Sequence, residues 1–288
     1  MSITRAIIPA AGFGTRFLPA TKSQPKEMLP IVDTPVIQLL VEEAVSAGIT
    51  DITIVVSRGK ESIIDHFDSN FELEALLSKK GKIKELEMIQ KLHTMARISY
   101  VRQSEPRGDG DAILQAKNLV GDEPVLVLFG DDIIRGEKTG AQQLVEAYEK
   151  YEAPVIALER ISDSQVSSYG VIEGDEKEAG IFEISRFLEK PNPDETDSRL
   201  GVIGKYIITP EVFQKLENGK SIASKDGENR LADAFAQMKR LYGVEMQGNR
   251  YDTGDKFGFV KATIDFALAR DDIGEKVKDF IKERAQSL

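Results

Sequence analysis

The chain has 288 residues, 41% hydrophobic and 30% charged, the proportions of a soluble globular protein with room for one large α/β domain or one domain with a smaller lobe. It has no cysteine, which excludes disulfides and thiolate metal sites, and its net charge of −10 with a pI near 5.0 argues against general binding to nucleic acid. The apolar start Ile3, Ile7, Ile8 is cut by Arg5 and Pro9, too short for a signal segment, and no apolar run approaches bilayer length, so the expectation is a cytoplasmic protein without a membrane partner.

Arg5–Pro9 predicts a first buried strand. Pro35 to Ala47 has Val36, Leu39, Leu40 and Ala44 at helical spacing, with Gly48 as the stop. Asp51–Val56 is almost continuously apolar, as expected of a strand covered on both faces. Residues 61–96 predict two amphipathic helices broken at Lys79-Lys80-Gly81, one burying Ile63, Ile64, Phe67 and Phe71, the other Ile83, Leu86, Ile89 and Leu92. Arg97–Arg102 is a third strand, Ala112 to Leu119 a helix, and Val125–Phe129 a fourth strand running into Gly130-Asp131-Asp132. Beyond residue 160 come three shorter β-rich pieces, Tyr169–Glu173, Ile181–Leu188 and Val202–Ile208, then a helix around Ala232–Leu241 and a helical tail from about Phe257. The alternation predicts an α/β fold with a doubly wound, mostly parallel central sheet, a smaller β-rich portion and C-terminal helices. No linker or internal repeat divides it, so residues 1–268 are expected to form one domain, with a nucleotide-binding part over about 1–135 and a sugar-binding part over about 136–256; 257–288 is the tail.

Charge singles out the first segment. Up to Lys26 there are four cations (Arg5, Arg16, Lys22, Lys26) and no acid, in an otherwise acidic chain. A short charge run usually just faces solvent, but this one contains Ala10-Ala11-Gly12-Phe13-Gly14-Thr15-Arg16 directly after a strand. Two glycines there permit positive φ and let backbone N–H groups approach an anion at the carboxyl end of the sheet. A Walker A loop is excluded for want of Gly-Lys-Ser/Thr, and a dinucleotide fingerprint because Phe17 stands where a third glycine belongs. A lone Gly-x-Gly is weak evidence. What strengthens it is Pro25-Lys26-Glu27-Met28-Leu29-Pro30. Arg16 can grip phosphate oxygens bidentately while Lys26 acts as a movable point charge.

These motifs, followed by Asp65-His-Phe-Asp68, Tyr100-Val-Arg-Gln103, Gly130-Asp-Asp132, Glu189-Lys-Pro191 and Tyr251-Asp-Thr-Gly-Asp255, resemble those of the sugar-phosphate nucleotidyltransferases, most closely the bacterial branch acting on UTP and glucose-1-phosphate. The similarity runs from residue 4 to about 268. It implies a nucleotidyltransferase that makes UDP-glucose and pyrophosphate by in-line attack of the sugar phosphate on the α-phosphorus of UTP. The nucleophile is already an anion, so positioning and electrostatics carry such a reaction and no general base is needed; His66 and His93, the only histidines, lie in the helical excursion.

The resemblance assigns Arg16, Lys26 and Lys190 to catalysis, and Asp131 and Asp252 to a magnesium ion, a metal suited to one or two carboxylates with phosphates and water. Ala11, Gly12, Gly14, Thr15, Glu27, Gln103 and Gly108 fall on the nucleotide. The Gln103 amide has an acceptor and two donors, enough to meet both N3–H and a carbonyl of uracil. Gly170, Glu189, Lys190 and Val202 fall on the sugar phosphate. A homodimer or homotetramer is also implied; Phe257, Phe259, Ile264, Phe266 and Leu268 could build such an interface or merely cap the core. One departure stands out: the related pattern Gly-Leu-Gly-His is replaced by Gly108-Asp109-Gly110-Asp111, two carboxylates that would repel phosphate unless they face ribose, metal or solvent. Three other readings stay open: the same chemistry with dTTP or another hexose-1-phosphate, a non-catalytic nucleotide-sugar sensor, and, more remotely, an NAD-dependent oxidoreductase.

Overall fold

The computed structural model describes residues 2–219 and 227–287. Nine strands form one sheet: β1 Arg5–Pro9, β2 Asp51–Val56, β3 Arg97–Arg102, β4 Val125–Leu128, β5 Val155–Arg160, β6 Gly170–Glu178, β7 Ile181–Glu189, β8 Leu200–Ile208 and β9 Tyr242–Glu245. Their order is β3-β2-β1-β4-β8-β5-β9-β7-β6, with β8 also touching β6. The strands β1 to β4 run parallel, and only β7 and β8 oppose the common direction. The apolar runs explain the centre: every residue of β4 is fully buried, as a strand with helices on both faces must be.

The helical excursion departs from expectation. Three helices, Glu61–Phe67, Phe71–Lys79 and Ile83–Thr94, replace the expected two. Asn70 caps the second, its side chain accepting from the N–H of Leu73 at 3.0 Å, a competing start signal within the apolar stripe. Ile63 and Phe67 are buried, but Phe71 is 81% and Ile83 53% exposed, and no residue of the last two helices is buried. Periodicity found their apolar faces; those helices pack mainly on each other, with little of the core beneath them.

Other elements differ in their bounds. The helix expected at Ala112 starts at Asp109 and is interrupted at Ala116, the strand expected to reach Phe129 stops at Leu128, and the helix expected over Ala232–Leu241 covers only Leu231–Phe235. The helices Gly140–Tyr151 and Pro210–Gly219 and the strands β5 and β9 add to the expected set. In the tail, Lys256–Leu268 turns Phe259 and Phe266 onto the core, while Phe257, Ile264 and Leu268 join Val260 on the outer side. No helix among the described residues is long and apolar enough to cross a membrane.

A small separate ladder brings two distant acidic segments together. After β4, residues Asp132–Arg135 pair antiparallel with Asn249–Asp252, placing Asp132 opposite Asp252. The N–H of Thr253 donates to the Asp131 carbonyl at 2.7 Å, extending the clasp by one residue.

Candidate active site

Two neighbouring cavities open on the sheet, the first at the carboxyl ends of β1, β3 and β4, the second against β6, β7 and β8. The first, about 290 Å³, is lined by Ala11, Gly12, Phe13, Lys26, Gln103 and Asp131 among others. The second, about 200 Å³, is lined by Gly170, Glu189, Val202, Tyr206 and Arg230 among others. Asp109 borders both.

The glycine-rich loop works differently at its two glycines. Gly14 has φ +64° and packs so closely that an added Cβ would sit 3.0 Å from Lys26 Cβ, so this loop and the Pro25–Pro30 segment are in direct contact. Gly12 does not use the positive φ open to it; a Cβ there would meet nothing within 4 Å. Its value is open space beside the cavity wall. Thr15 and Arg16 form a short 3₁₀ turn outside the cavity lining, and Arg16 donates to the carbonyl of Gly254 at 3.2 Å.

That contact leads to the charged centre. Lys26 Nζ lies 2.8 Å from Asp131 Oδ2. Burial lowers the ammonium's pKa, but Asp131 and then Glu27 overcome it and leave Lys26 above its usual value. Asp131 and Asp252 converge over Gly254: a Cβ on that glycine would stand 2.8 Å from Asp131 Oδ2 and 3.1 Å from Asp252 Oδ1. Burial, with the nearby Asp132 and Asp131 carboxylates, raises the Asp252 pKa. Asp132 itself is committed elsewhere, accepting from Gly204 N at 2.7 Å and Arg250 Nε at 2.6 Å. Arg250 also contacts Glu159 and Tyr169, holding the ladder that carries Asp252.

No group of three or more metal-binding side chains occurs among the described residues. Two converging carboxylates do fit a hard divalent ion that takes most of its ligands from phosphate and water.

Glu27 borders the first cavity yet is almost closed to solvent. It is 1% exposed and ion-paired with Lys60, also buried, at 2.7 Å, its other oxygen, Oε1, lacking a hydrogen-bond partner. Gln103 is 7% exposed, and its Nε2 donates to Gly108 O at 3.1 Å and Asp111 Oδ2 at 2.9 Å. Both amide donors are therefore spent, so Gln103 cannot also donate to a uracil carbonyl as expected. Gly108 has φ +98° and touches Asn229 so closely that an added Cβ would lie 2.4 Å from its carbonyl oxygen. The two unexpected carboxylates thus have partners: Asp111 takes Gln103, and Asp109 Oδ1 accepts from the N–H groups of Gly110 and Leu231 at 2.7 and 3.0 Å. Burial raises the Asp109 pKa despite these bonds.

In the second cavity Gly170 faces Glu189 across the β6–β7 pair; an added Cβ would sit 3.0 Å from Phe187 and 3.3 Å from Glu189 Oε2. Lys190 does not line either cavity; it lies just past Glu189 with φ +48°, its Nζ 3.7 Å from Glu189 Oε1 and its side chain 61% exposed. Of the histidines, His66 shares a hydrogen bond with Gln38 at 3.1 Å and stacks edge-on with Phe67.

A profile described as nucleotidyl transferase matches residues 5–269. The chain belongs to that family. Among its relatives, UTP–glucose-1-phosphate uridylyltransferase 1 of Streptococcus pyogenes serotype M3 is 46% identical over 294 residues, 99% of this chain and 96% of that protein. The UTP–glucose-1-phosphate uridylyltransferase of Staphylococcus epidermidis is 46% identical over 284 residues, 98% of each chain. A crystal structure of UDP-glucose pyrophosphorylase complexed with UDP-glucose superposes with a TM-score of 0.83 at 40% identity, over 93% of this chain and all of that one. UTP-bound UGPase from Acinetobacter baumannii superposes with a TM-score of 0.89 at 35% identity, over 98% and 99% of the two chains.

Set in this nucleotidyl transferase, several cavity residues had escaped the sequence. Phe13, 73% exposed, stands at the first cavity inside a motif noted only for its glycines. Tyr206 and Arg230 line the second, and no local pattern marks either. Asp109 was visible only as a departure, with no hint that it forms the wall between cavities.

Proposed function

We propose that this nucleotidyl transferase makes UDP-glucose from UTP and glucose-1-phosphate. An oxygen of the sugar phosphate bonds to the α-phosphorus of UTP as the bond to the β-phosphate oxygen breaks, and pyrophosphate leaves. The observation that carries the reading is the meeting of Asp252 with Lys26 and Asp131, two residues in the wall of the first cavity, in a chain 46% identical to proteins of that activity.

The roles follow from the chemistry. Arg16 and Lys26 offset phosphate charge as the two anions approach, and the loop through Gly14 and Thr15 holds Arg16 in place. Ala11 and Gly12 offer backbone N–H groups to the base, Gln103 its carbonyl oxygen, and Gly108 shapes the turn beneath. Glu27, in the wall of the first cavity and paired with Lys60, keeps the Lys26 segment in place. Glu189 accepts from hexose hydroxyls, with Gly170 and Val202 as walls, and Lys190 swings its exposed ammonium onto the sugar phosphate. Asp131 and Asp252 would hold magnesium, which when bound neutralises charge on the triphosphate.

The test is pyrophosphate release across a grid of nucleoside triphosphates and sugar-1-phosphates, with and without magnesium. UTP with glucose-1-phosphate should be the fastest pair, and turnover should vanish without the metal. Binding of UTP without pyrophosphate from any pair would reject the enzymatic reading.

Lys190→Ala should raise KM for glucose-1-phosphate by roughly 10- to 100-fold, the value of one charge-assisted contact. The dissociation constant for UTP should be nearly unchanged. Equal losses for both ligands, measured by calorimetry beside kinetics, would show that the lysine is wrongly placed on the sugar phosphate.

A further inference from the structure

Gln103 follows β3, and its backbone N–H is fixed to the carbonyl of Val56 at 2.9 Å. Its side-chain amide is flanked by two groups that cannot donate: the Gly108 carbonyl, 3.1 Å from Nε2, and the Asp111 carboxylate, 2.9 Å from it. An amide between two pure acceptors can only present its NH₂ to them. The carbonyl oxygen is then forced to the other side, where Gln103 borders the first cavity together with Gly12 and Phe13. No donor among the described residues engages that oxygen.

Asp111 is itself held. It is 7% exposed in the first turn of the helix Asp109–Gln115, and its second oxygen, Oδ1, lies 3.3 Å from Gln115 Nε2. Turning the Gln103 amide over would put its oxygen against a carboxylate and a carbonyl at once and forfeit two hydrogen bonds. The position is the one at which the related pattern carries histidine, whose ring can donate or accept.

We propose that Asp111 is a positioning residue for base selection: by locking the Gln103 amide with its oxygen toward the cavity, it makes the site choose bases that present an N–H there. Uracil and thymine carry that hydrogen on N3; cytosine has a lone pair at N3 and meets oxygen against nitrogen. The lock therefore discriminates against CTP and leaves UTP and dTTP alike at this contact. This rests on the reading that Gln103 meets the base.

The measurement is kcat/KM for UTP, dTTP and CTP by pyrophosphate release, with equilibrium binding of the three triphosphates by calorimetry beside it. Asp111→Asn keeps the shape but introduces a group that can donate, so the Gln103 amide is free to turn. The UTP-to-CTP ratio should fall about tenfold or more, the worth of one hydrogen bond near a charge. UTP and dTTP should weaken together, mainly in KM, with KM for glucose-1-phosphate unchanged. Asp111→Glu, which restores an acceptor without a donor, should recover part of the ratio.

A folded Asp111→Asn variant with an unaltered UTP-to-CTP ratio, or equal loss for both nucleotides, overturns the proposal. So does a wild-type protein that favours CTP. Should no triphosphate yield pyrophosphate, the activity reading falls, and preferential binding of UTP over CTP, diminished in Asp111→Asn, would still sustain the lock.

Discussion

Asp131→Asn is expected to lower kcat by roughly 100- to 1000-fold at saturating substrates, the scale of losing one preorganised electrostatic contact at a reacting centre. Asparagine can keep the 2.8 Å hydrogen bond to Lys26 but not the negative charge. That charge counts because Asp131 and Asp252 converge over Gly254 and are already coupled, burial and the neighbouring aspartates raising the Asp252 pKa. A further cation would relieve this crowding, and one carboxylate alone attracts it less. Added magnesium should therefore restore only part of the turnover. The check is steady-state pyrophosphate release over a magnesium titration, with a thermal melt to establish that the variant is folded. Turnover equal to wild type would remove Asp131 from the reacting centre.

The second large effect concerns stability. Lys205 is 0% and Glu43 6% exposed, and their ion pair at 2.8 Å lies within the core. Glu43 Oε1 also accepts from the N–H of Ala141 at 3.0 Å, tying the helix Val36–Ser46 to the helix Gly140–Tyr151 and to β8. Glu43→Ala would leave a buried ammonium without a partner, at a cost of about 3–5 kcal/mol. With roughly 2–3 °C per kcal/mol for a domain of this size, Tm should fall by roughly 6–15 °C in scanning calorimetry. The double replacement Glu43→Leu with Lys205→Met should recover most of the loss, since two apolar side chains leave no charge to solvate. An unchanged Tm in Glu43→Ala would mean that the pair is not buried as placed.

Legibility differed between the halves of the chain. The strands β1, β2 and β4 could be delimited to within a residue because each is a short, nearly unbroken apolar run, and a fully covered strand needs little else; β3, Arg-Ile-Ser-Tyr-Val-Arg at the sheet edge, alternates instead and has no buried residue. Two omissions had available signals: Thr139 and Gln142 form a capping box ahead of the helix Gly140–Tyr151, and Val155–Leu158 is a short apolar run. The exposed faces of Phe71–Lys79 and Ile83–Thr94 illustrate the opposite limit. An apolar stripe reveals that a helix has two sides, while what covers the apolar one lies elsewhere in the molecule.

The candidate site divides the same way. The family resemblance, carried by short contiguous motifs, pointed to Arg16, Lys26, Asp131, Asp252, Gln103, Glu189 and Lys190, side chains whose charges and donors suit phosphate, metal, base and hydroxyl; the structure brings Lys26, Asp131 and Asp252 together and leaves Lys190 outside both cavities. Folding decided how they act. The ladder register that sets Asp132 opposite Asp252 joins segments far apart in the chain. The ion pair with Lys60 occupies one oxygen of Glu27 in the wall of the first cavity. Asp111 and the Gly108 carbonyl consume both donors of Gln103 and leave it only an acceptor. A side chain's type limits the hydrogen bonds it is able to form; which of them remain for a ligand depends on the neighbours that packing has already supplied.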